Sequence, residues 1–161
     1  MKPTVAVLMG SDSDAPSLKP CGDTLRGLGI PFVAKVLSAH RTPDETVAFV
    51  KSAKARGFKV IIAAAGGAAH LAGVAAAHTP LPVIGIPVET PSFKGIDSLL
   101  STAQMPAGTP VATVAVGPAG VKNAAFLAAR ILALGDTKLG KALEKYKKET
   151  KEKILGKKIK L

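Results

Sequence analysis

The sequence predicts an α/β fold: a flavodoxin-like, doubly wound three-layer sandwich with a five-stranded parallel sheet and an added C-terminal helix. Five short apolar segments rich in β-branched residues recur along the chain, and the stretches between them carry helical spacing. Most of the five are nearly continuous in hydrophobicity, as strands covered on both faces are. Regular alternation of strand and helix calls for parallel strands joined by right-handed crossovers.

The segments are "TVAVLM" (4–9), "FVAKVL" (32–37), "KVIIAA" (59–64), "PVIGIPV" (82–88) and "VATVAV" (111–116). With five strands, the order 2-1-3-4-5 is the simplest doubly wound arrangement. After the first strand, "SDAPSLKPCGDTL" stands where a helix belongs, yet it carries Pro20 and Gly22. Pro20 should break or kink that helix or delay its start, because its ring displaces a backbone bond at about 3 kcal/mol in a helix interior. "DETVAFVKSAKARG" (44–57) opens on Asp44 and Glu45, spaces Val47, Val50 and Ala53 by three, and stops at Gly57. "AGVAAAHT" (72–79) reads as a short helix with His78 at its C-terminal end, and "GPAGVKNAAFLAARILALG" (117–135) as a long one. From Asp136 the tail reads as a further helix, "TKLGKALEKYKKETKEKIL", with Leu139, Leu143, Tyr146 and Ile154 as sparse apolar anchors.

The length of 161 residues suits one domain, 1–161, with 136–161 as its lysine-rich tail. A chain of that size buries roughly 70% of its unfolded surface. Aromatic residues are only 4% of a chain that is 47% hydrophobic, so the core closes by tight backbone approach and not by large rings. Cys21 stands alone, which excludes an internal disulfide and fits a reducing cytoplasm. The opening "MKPTVAVLMG" is too short and wrongly flanked for a signal peptide or a membrane span, so a soluble protein is expected.

The net charge of +11 invites a nucleic-acid reading. Its distribution argues otherwise, because ten lysines and three glutamates between Lys138 and Leu161 carry +7 of it. A lysine-rich terminal helix with Tyr146 as its sole aromatic reads as a solvated face, and neither nucleic acid nor membrane is expected as a partner.

In a doubly wound sheet, ligands bind beyond the carboxyl ends of the strands, where the strand order reverses. Three loops there read together: "GSDSD" (10–14), "SAHRTP" (38–43) and "AGGAAHLAG" (65–73). In the first, Gly10 permits a tight turn while Ser11 and Ser13 offer hydroxyls and amides to an anion at a helix start. Asp14 suits two sugar hydroxyls or caps the helix, and on the loop alone capping is the simpler reading. In the second, Arg41 offers a forked contact to phosphate and Pro43 stiffens the exit. His40 beside it carries a proton in either direction near neutrality, or merely caps the strand end. In the third, Gly66, Gly67, Ala68 and Ala69 let a ligand touch backbone, and His70 either packs locally or faces the crevice of His40. The three histidines lack metal-ligand spacing, and no G-x-S-x-G elbow accompanies a serine. No metal is expected, and the pattern fits proton transfer with phosphate recognition.

These loops, followed by "PVIGIPVE" and "GIDSLLSTAQMPAGTPVATVAVG", resemble the 5-(carboxyamino)imidazole ribonucleotide mutase family of purine biosynthesis, from about Thr4 to Leu134. The resemblance implies an isomerase that moves a carboxyl group of an aminoimidazole ribonucleotide from the exocyclic nitrogen to ring carbon four. It implies no cofactor, whether metal, nucleoside triphosphate or biotin, and a cytoplasmic homo-octamer. Ser11 and Asp14 match the family's substrate-binding serine and aspartate, Arg41 its phosphate-binding arginine, and His40 its catalytic histidine. Ser13, Ser38, Ala39, Gly67 and His70, from the same three loops, complete the expected substrate-binding set, with "AAAGGAAHL" and Met105-Pro106 as a water-excluding wall that holds carbon dioxide between two steps. A related branch, the carboxylase that uses carbon dioxide directly, has a more polar third loop and a lysine after the second-loop histidine; Arg41 and "GGAAHLAG" favour the mutase. Pro118 stands where a family member often has lysine. The rivals are that carboxylase and a nonenzymatic nucleotide-binding protein suggested by the basic tail.

Overall fold

The structure is a computed structural model, and it describes residues 2–157 and 159; the last stretch of the expected tail lies partly outside them. Five parallel strands, β1 (Val5–Met9), β2 (Phe32–Val36), β3 (Val60–Gly66), β4 (Val83–Val88) and β5 (Ala112–Thr113), lie in the order β2-β1-β3-β4-β5. This is the order expected, with the reversal between β1 and β3.

Strand side chains alternate between faces, and both faces of the central strands are covered. Val5, Val7 and Met9 of β1 pack with Leu18, Cys21 and Leu25 of α1 (Ala15–Gly27) and with Val121 and Ala124 of α5 (Pro118–Ala133). Ala6 and Leu8 point the other way, onto Phe49 and Val50 of α2 (Pro43–Ala53) and Leu71 and Ala75 of α3 (Leu71–Ala77). Burial pushes the Cys21 thiol up to about 12. His78 is the C-cap of α3, at the end where the sequence placed it.

Helix α4 (Ile96–Ala103), which the hydrophobic pattern had not marked, packs on β4. It comes so close that a Cβ on Gly85 would overlap the Thr102 methyl and the Val111 side chain. Glycine at mid-strand therefore sets the spacing between α4 and the sheet. A short 3₁₀ turn, Asp12–Asp14, precedes α1, and α6 (Thr137–Leu155) follows α5 with Asp136 as its N-cap, accepting from the amides of Lys138 and Leu139 at 2.9 and 3.1 Å.

Four expectations need correction. Helix α1 neither stops at Pro20 nor starts late: Pro16 lies in its first turn, and the helix continues past Pro20 because Leu18, Cys21 and Leu25 are fastened into the core on either side. The predicted strand 111–116 keeps the ladder only at Ala112–Thr113, since at the sheet edge it has one neighbour. Strand β2, at the other edge, leaves Ala34, Lys35 and Val36 exposed and so is not covered on both faces. In α6, Leu139 is buried, Leu143 packs on the core and Tyr146 meets Phe126 at 4.6 Å between ring centroids, but Ile154 is 61% exposed and anchors nothing.

Gly85→Ala forces a methyl between β4 and α4. The midpoint of denaturant unfolding should fall by the equivalent of about 1–3 kcal/mol, the range for overpacking a close-packed core, and an unchanged midpoint would mean that α4 is not seated as described.

Candidate active site

The crevice lies above the carboxyl ends of β1, β3 and β4, a cavity of about 580 Å3. Backbone bonds carry the pairing just past the strands: Leu37 donates to the Met9 carbonyl at 2.9 Å and Gly10 to that of Ala64 at 3.3 Å. The loops leave the sheet in fixed register.

In the first loop Ser11 is the N-cap of the 3₁₀ turn. Its Oγ accepts the Ser13 amide at 3.3 Å, and the Asp14 carboxylate accepts the Ser11 amide at 3.3 Å, which makes a reciprocal capping box. Asp14 thus caps, as the simpler reading held, and it also lines the crevice. Burial raises its carboxyl above the ordinary 3.8, against the lowering effects of the Ser11 amide and the Arg41 charge, while Asp12 adds to the rise. Ser13 is exposed and donates to Ser11 Oγ at 2.9 Å; it stands behind the lining and not in it.

The second loop is held by hydroxyls. Ser38 Oγ accepts the amides of His40 and Arg41 at 3.4 and 3.1 Å, Thr42 Oγ1 accepts the Ser38 amide at 2.9 Å, and buried Thr46 donates toward the Thr42 carbonyl at 2.8 Å. Pro43, at the first helical position, starts α2 where no amide hydrogen is needed. The result aims His40 and Arg41 outward. Arg41 Nη2 donates to the Gly10 carbonyl at 2.6 Å, which draws the guanidinium across to Ser11 and Asp14 and leaves its other donors free of that bond.

The third loop carries His70, whose Nδ1 lies 2.8 Å from His40 Nε2, the rings meeting edge to face with centroids 4.9 Å apart. Two imidazole nitrogens at that distance share one proton, because one must donate and the other accept. His70 therefore faces His40 and is not merely a local helix start. Gly67, at φ 68°, is outside the lining; its amide is taken by Ser98 of α4 at 2.8 Å. Ala39, Ser38, Gly66 and Ala68 line the crevice, as does Leu71, whereas Met105 lies against Gly73 of α3 and, with Pro106, is outside the wall expected of it.

The remaining wall, Val88 at the end of β4 and Glu89–Pro91 after it, was not singled out from the sequence as part of the site, although its position at the carboxyl end of a strand was a signal for it. The supporting serines of α4 carried no such signal. Among the described residues, no three His, Cys, Asp or Glu side chains come together as metal ligands, and no helix is long and apolar enough to cross a membrane.

An open parallel sheet with a histidine pair, an arginine and capped hydroxyls gathered at its reversal point defines an α/β enzyme of the doubly wound class. The chain belongs to the AIR carboxylase family, whose model matches residues 4–153. It is 57% identical over 154 residues to the N5-carboxyaminoimidazole ribonucleotide mutase of Brucella melitensis, covering 96% of this chain and 95% of that one. It is 50% identical over 155 residues to the mutase of the same name from Bacillus subtilis, covering 96% of each. The crystal structure of Treponema denticola PurE superposes with a TM-score of 0.86 at 32% identity, over 95% of this chain and 94% of that one.

Asp14→Asn keeps an acceptor for the Ser11 amide and removes the charge that burial disfavours. With its folded pKa raised, Asp14 favours folding fully below 3.8, and that contribution is lost as pH rises through the higher folded value. The variant should therefore equal or exceed the parent's unfolding midpoint at pH 7, with the difference closing as pH falls toward 3.8. Lower stability at pH 7 would show that the attraction of Arg41 outweighs burial.

Proposed function

We propose that this protein is an N5-carboxyaminoimidazole ribonucleotide mutase of purine biosynthesis, with His40 as its acid and base. Family membership and the names of relatives 57% and 50% identical support the reaction. The observation that carries the assignment of His40 is its 2.8 Å contact with His70 beside Arg41.

The chemistry asks for one proton in each direction. In the first step the bond between the carboxyl carbon and the exocyclic nitrogen breaks, carbon dioxide leaves, and the nitrogen takes a proton from His40. In the second, ring carbon four attacks carbon dioxide, a carbon–carbon bond forms, and the hydrogen on that carbon returns to His40. No net proton is consumed. The pair with His70 holds the proton until nitrogen needs it and presents a free lone pair when carbon releases it. Arg41 and Ser11 would take the phosphate, Asp14 the ribose hydroxyls, and Ser38 would keep the loop in shape while Ala39 and Ala68 leave room for the base. Ser13 and Gly67 would act behind these. The apolar wall of Ala65, Ala68 and Leu71 supports retention of carbon dioxide for recapture, so that proximity replaces an external supply.

The same proposal takes the chain as one mutase domain in the cytoplasm that assembles as a homo-octamer and uses no cofactor, nucleic acid or membrane. Phe93, Ile96 and Leu100 support assembly, since they form an exposed apolar stripe on and before α4.

Purified protein mixed with N5-carboxyaminoimidazole ribonucleotide, without bicarbonate or ATP, should form the carbon-carboxylated product well above background. His40→Asn should lower kcat by about 10²–10⁴-fold, the usual worth of acid–base catalysis, with ribonucleotide affinity retained. Turnover kept in that variant would remove His40 from the role; product formed only from the decarboxylated ribonucleotide with bicarbonate would assign the carboxylase reaction instead.

A further inference from the structure

We infer that Ser98 is a positioning residue for the histidine pair, acting through the glycine loop without touching the ligand. Ser98 is 0% exposed on α4. Its Oγ donates its single hydrogen to the Val88 carbonyl at 2.7 Å and accepts the Gly67 amide at 2.8 Å. Val88 lines the crevice on the β4 side, and Gly67 sits between Gly66 and Ala68, which line it on the β3 side.

The place of this clip gives it its importance. Gly66 opposite Val88 is the last registered pair of β3 and β4, so beyond it no ladder bond holds the loop that leads to His70. The next tie is the Ser98 hydroxyl. Gly67 there has a φ of 68°, a left-handed turn that redirects the chain. Ser101, three residues along α4 and on the same face, accepts the Ala69 amide at 3.1 Å and donates to the Asp97 carbonyl at 2.7 Å. Two loop amides in three residues are thus fixed by one helix.

Helix capping does not account for Ser98. The N-cap of α4 is Gly95, and the Ser98 amide is itself satisfied by Asp97 Oδ1 at 2.9 Å. His40, in turn, is fixed from its own side by Ser38, Thr42 and Thr46. The separation of the two imidazoles therefore depends on where α4 holds the loop of His70. A hydrogen bond of 2.8 Å tolerates a displacement of a few tenths of an ångström and no more.

This inference rests on the reading of His40 as the proton carrier, so its test includes an arm that needs no turnover. Ser98→Ala, Ser98→Thr and Ser101→Ala are compared with Thr102→Ser, which trims a buried side chain of the same helix without touching the loop. The readouts are kcat and KM for N5-carboxyaminoimidazole ribonucleotide, the unfolding midpoint, and the ¹⁵N resonances of the histidine rings in free protein. Ser98→Ala should lower kcat by about 10–100-fold, the scale of a 1 Å misplacement, and shift the ring resonances of His40 and His70 toward those of separate imidazoles. KM should stay within about threefold, because Arg41, Ser11 and Asp14 stand on other loops, and Ser98→Thr should restore most of the rate. Thr102→Ser should lower the midpoint and leave kcat and the histidine resonances unchanged.

Unaltered histidine resonances in a folded Ser98→Ala protein overturn the inference, as does a loss of kcat in Thr102→Ser equal to that in Ser98→Ala. Should Ser98→Ala fail to fold, Ser101→Ala carries the test: it should move the same resonances and lower kcat several-fold, and resonances left in place overturn the inference. If the wild-type protein itself gave no product, the mutase reading would fall, while the ¹⁵N comparison would still decide whether α4 sets the histidine pair.

Discussion

Val5, Val7 and Met9 leave β1 toward one helical layer, Ala6 and Leu8 toward the other, and both sets are buried. A strand placed so must have parallel neighbours and crossover helices, because only those cover both sides at once. All its carboxyl ends then emerge on one edge. The crossovers of β1 and β3 lead away to opposite layers, and the gap that opens between their loops is the crevice. Burial on both faces of β1 and β3 is thus what brings Asp14, Arg41, His40 and His70, 56 residues apart at the extremes, to one place.

The small side chains make that arrangement tight enough to hold a short hydrogen bond. Ala124, Ala125, Ala128 and Ala129 are fully buried, which brings α5 close to the sheet and to α1. Gly120 allows α5 onto the Ala115 carbonyl, where any Cβ would collide. Gly85 does the same for α4 at the centre of β4. Close approach leaves the helices little freedom to slide, so loops tied to them inherit their rigidity. The hydroxyls of Ser38, Thr42 and Thr46 then fasten the second loop to α2, and those of Ser98 and Ser101 the third to α4, since turns of this kind have no ladder bonds of their own.

Much of this was legible in the chain. The five apolar runs gave the strands of the centre nearly to the residue, the strand order is the simplest doubly wound one, and the three loops after β1, β2 and β3 contain most of the residues that line the crevice, though not Val88–Pro91. What escaped was decided by tertiary context. Inside a helix Pro20 costs a backbone bond, but propensity does not register that Leu18, Cys21 and Leu25 hold the helix on both sides of it. The run 111–116 has the composition of a strand, and only its place at the edge shortens it. Helix α4 begins at a left-handed glycine, Gly95, with no side-chain cap, and its serines look like any polar face until the loop they hold is in view. Ile154 has the spacing of an anchor but lies beyond the body that Leu139 and Leu143 reach.

Cys21 is the lone sulfur nucleophile of the chain, enclosed between α1 and the sheet with its thiol held near pKa 12. At neutral pH almost none of it is thiolate, and reagents reach it only when α1 lifts from its layer. The residue is therefore a clock for local opening written into the protein. Its rate of alkylation reports how often the α1 side of the core breathes.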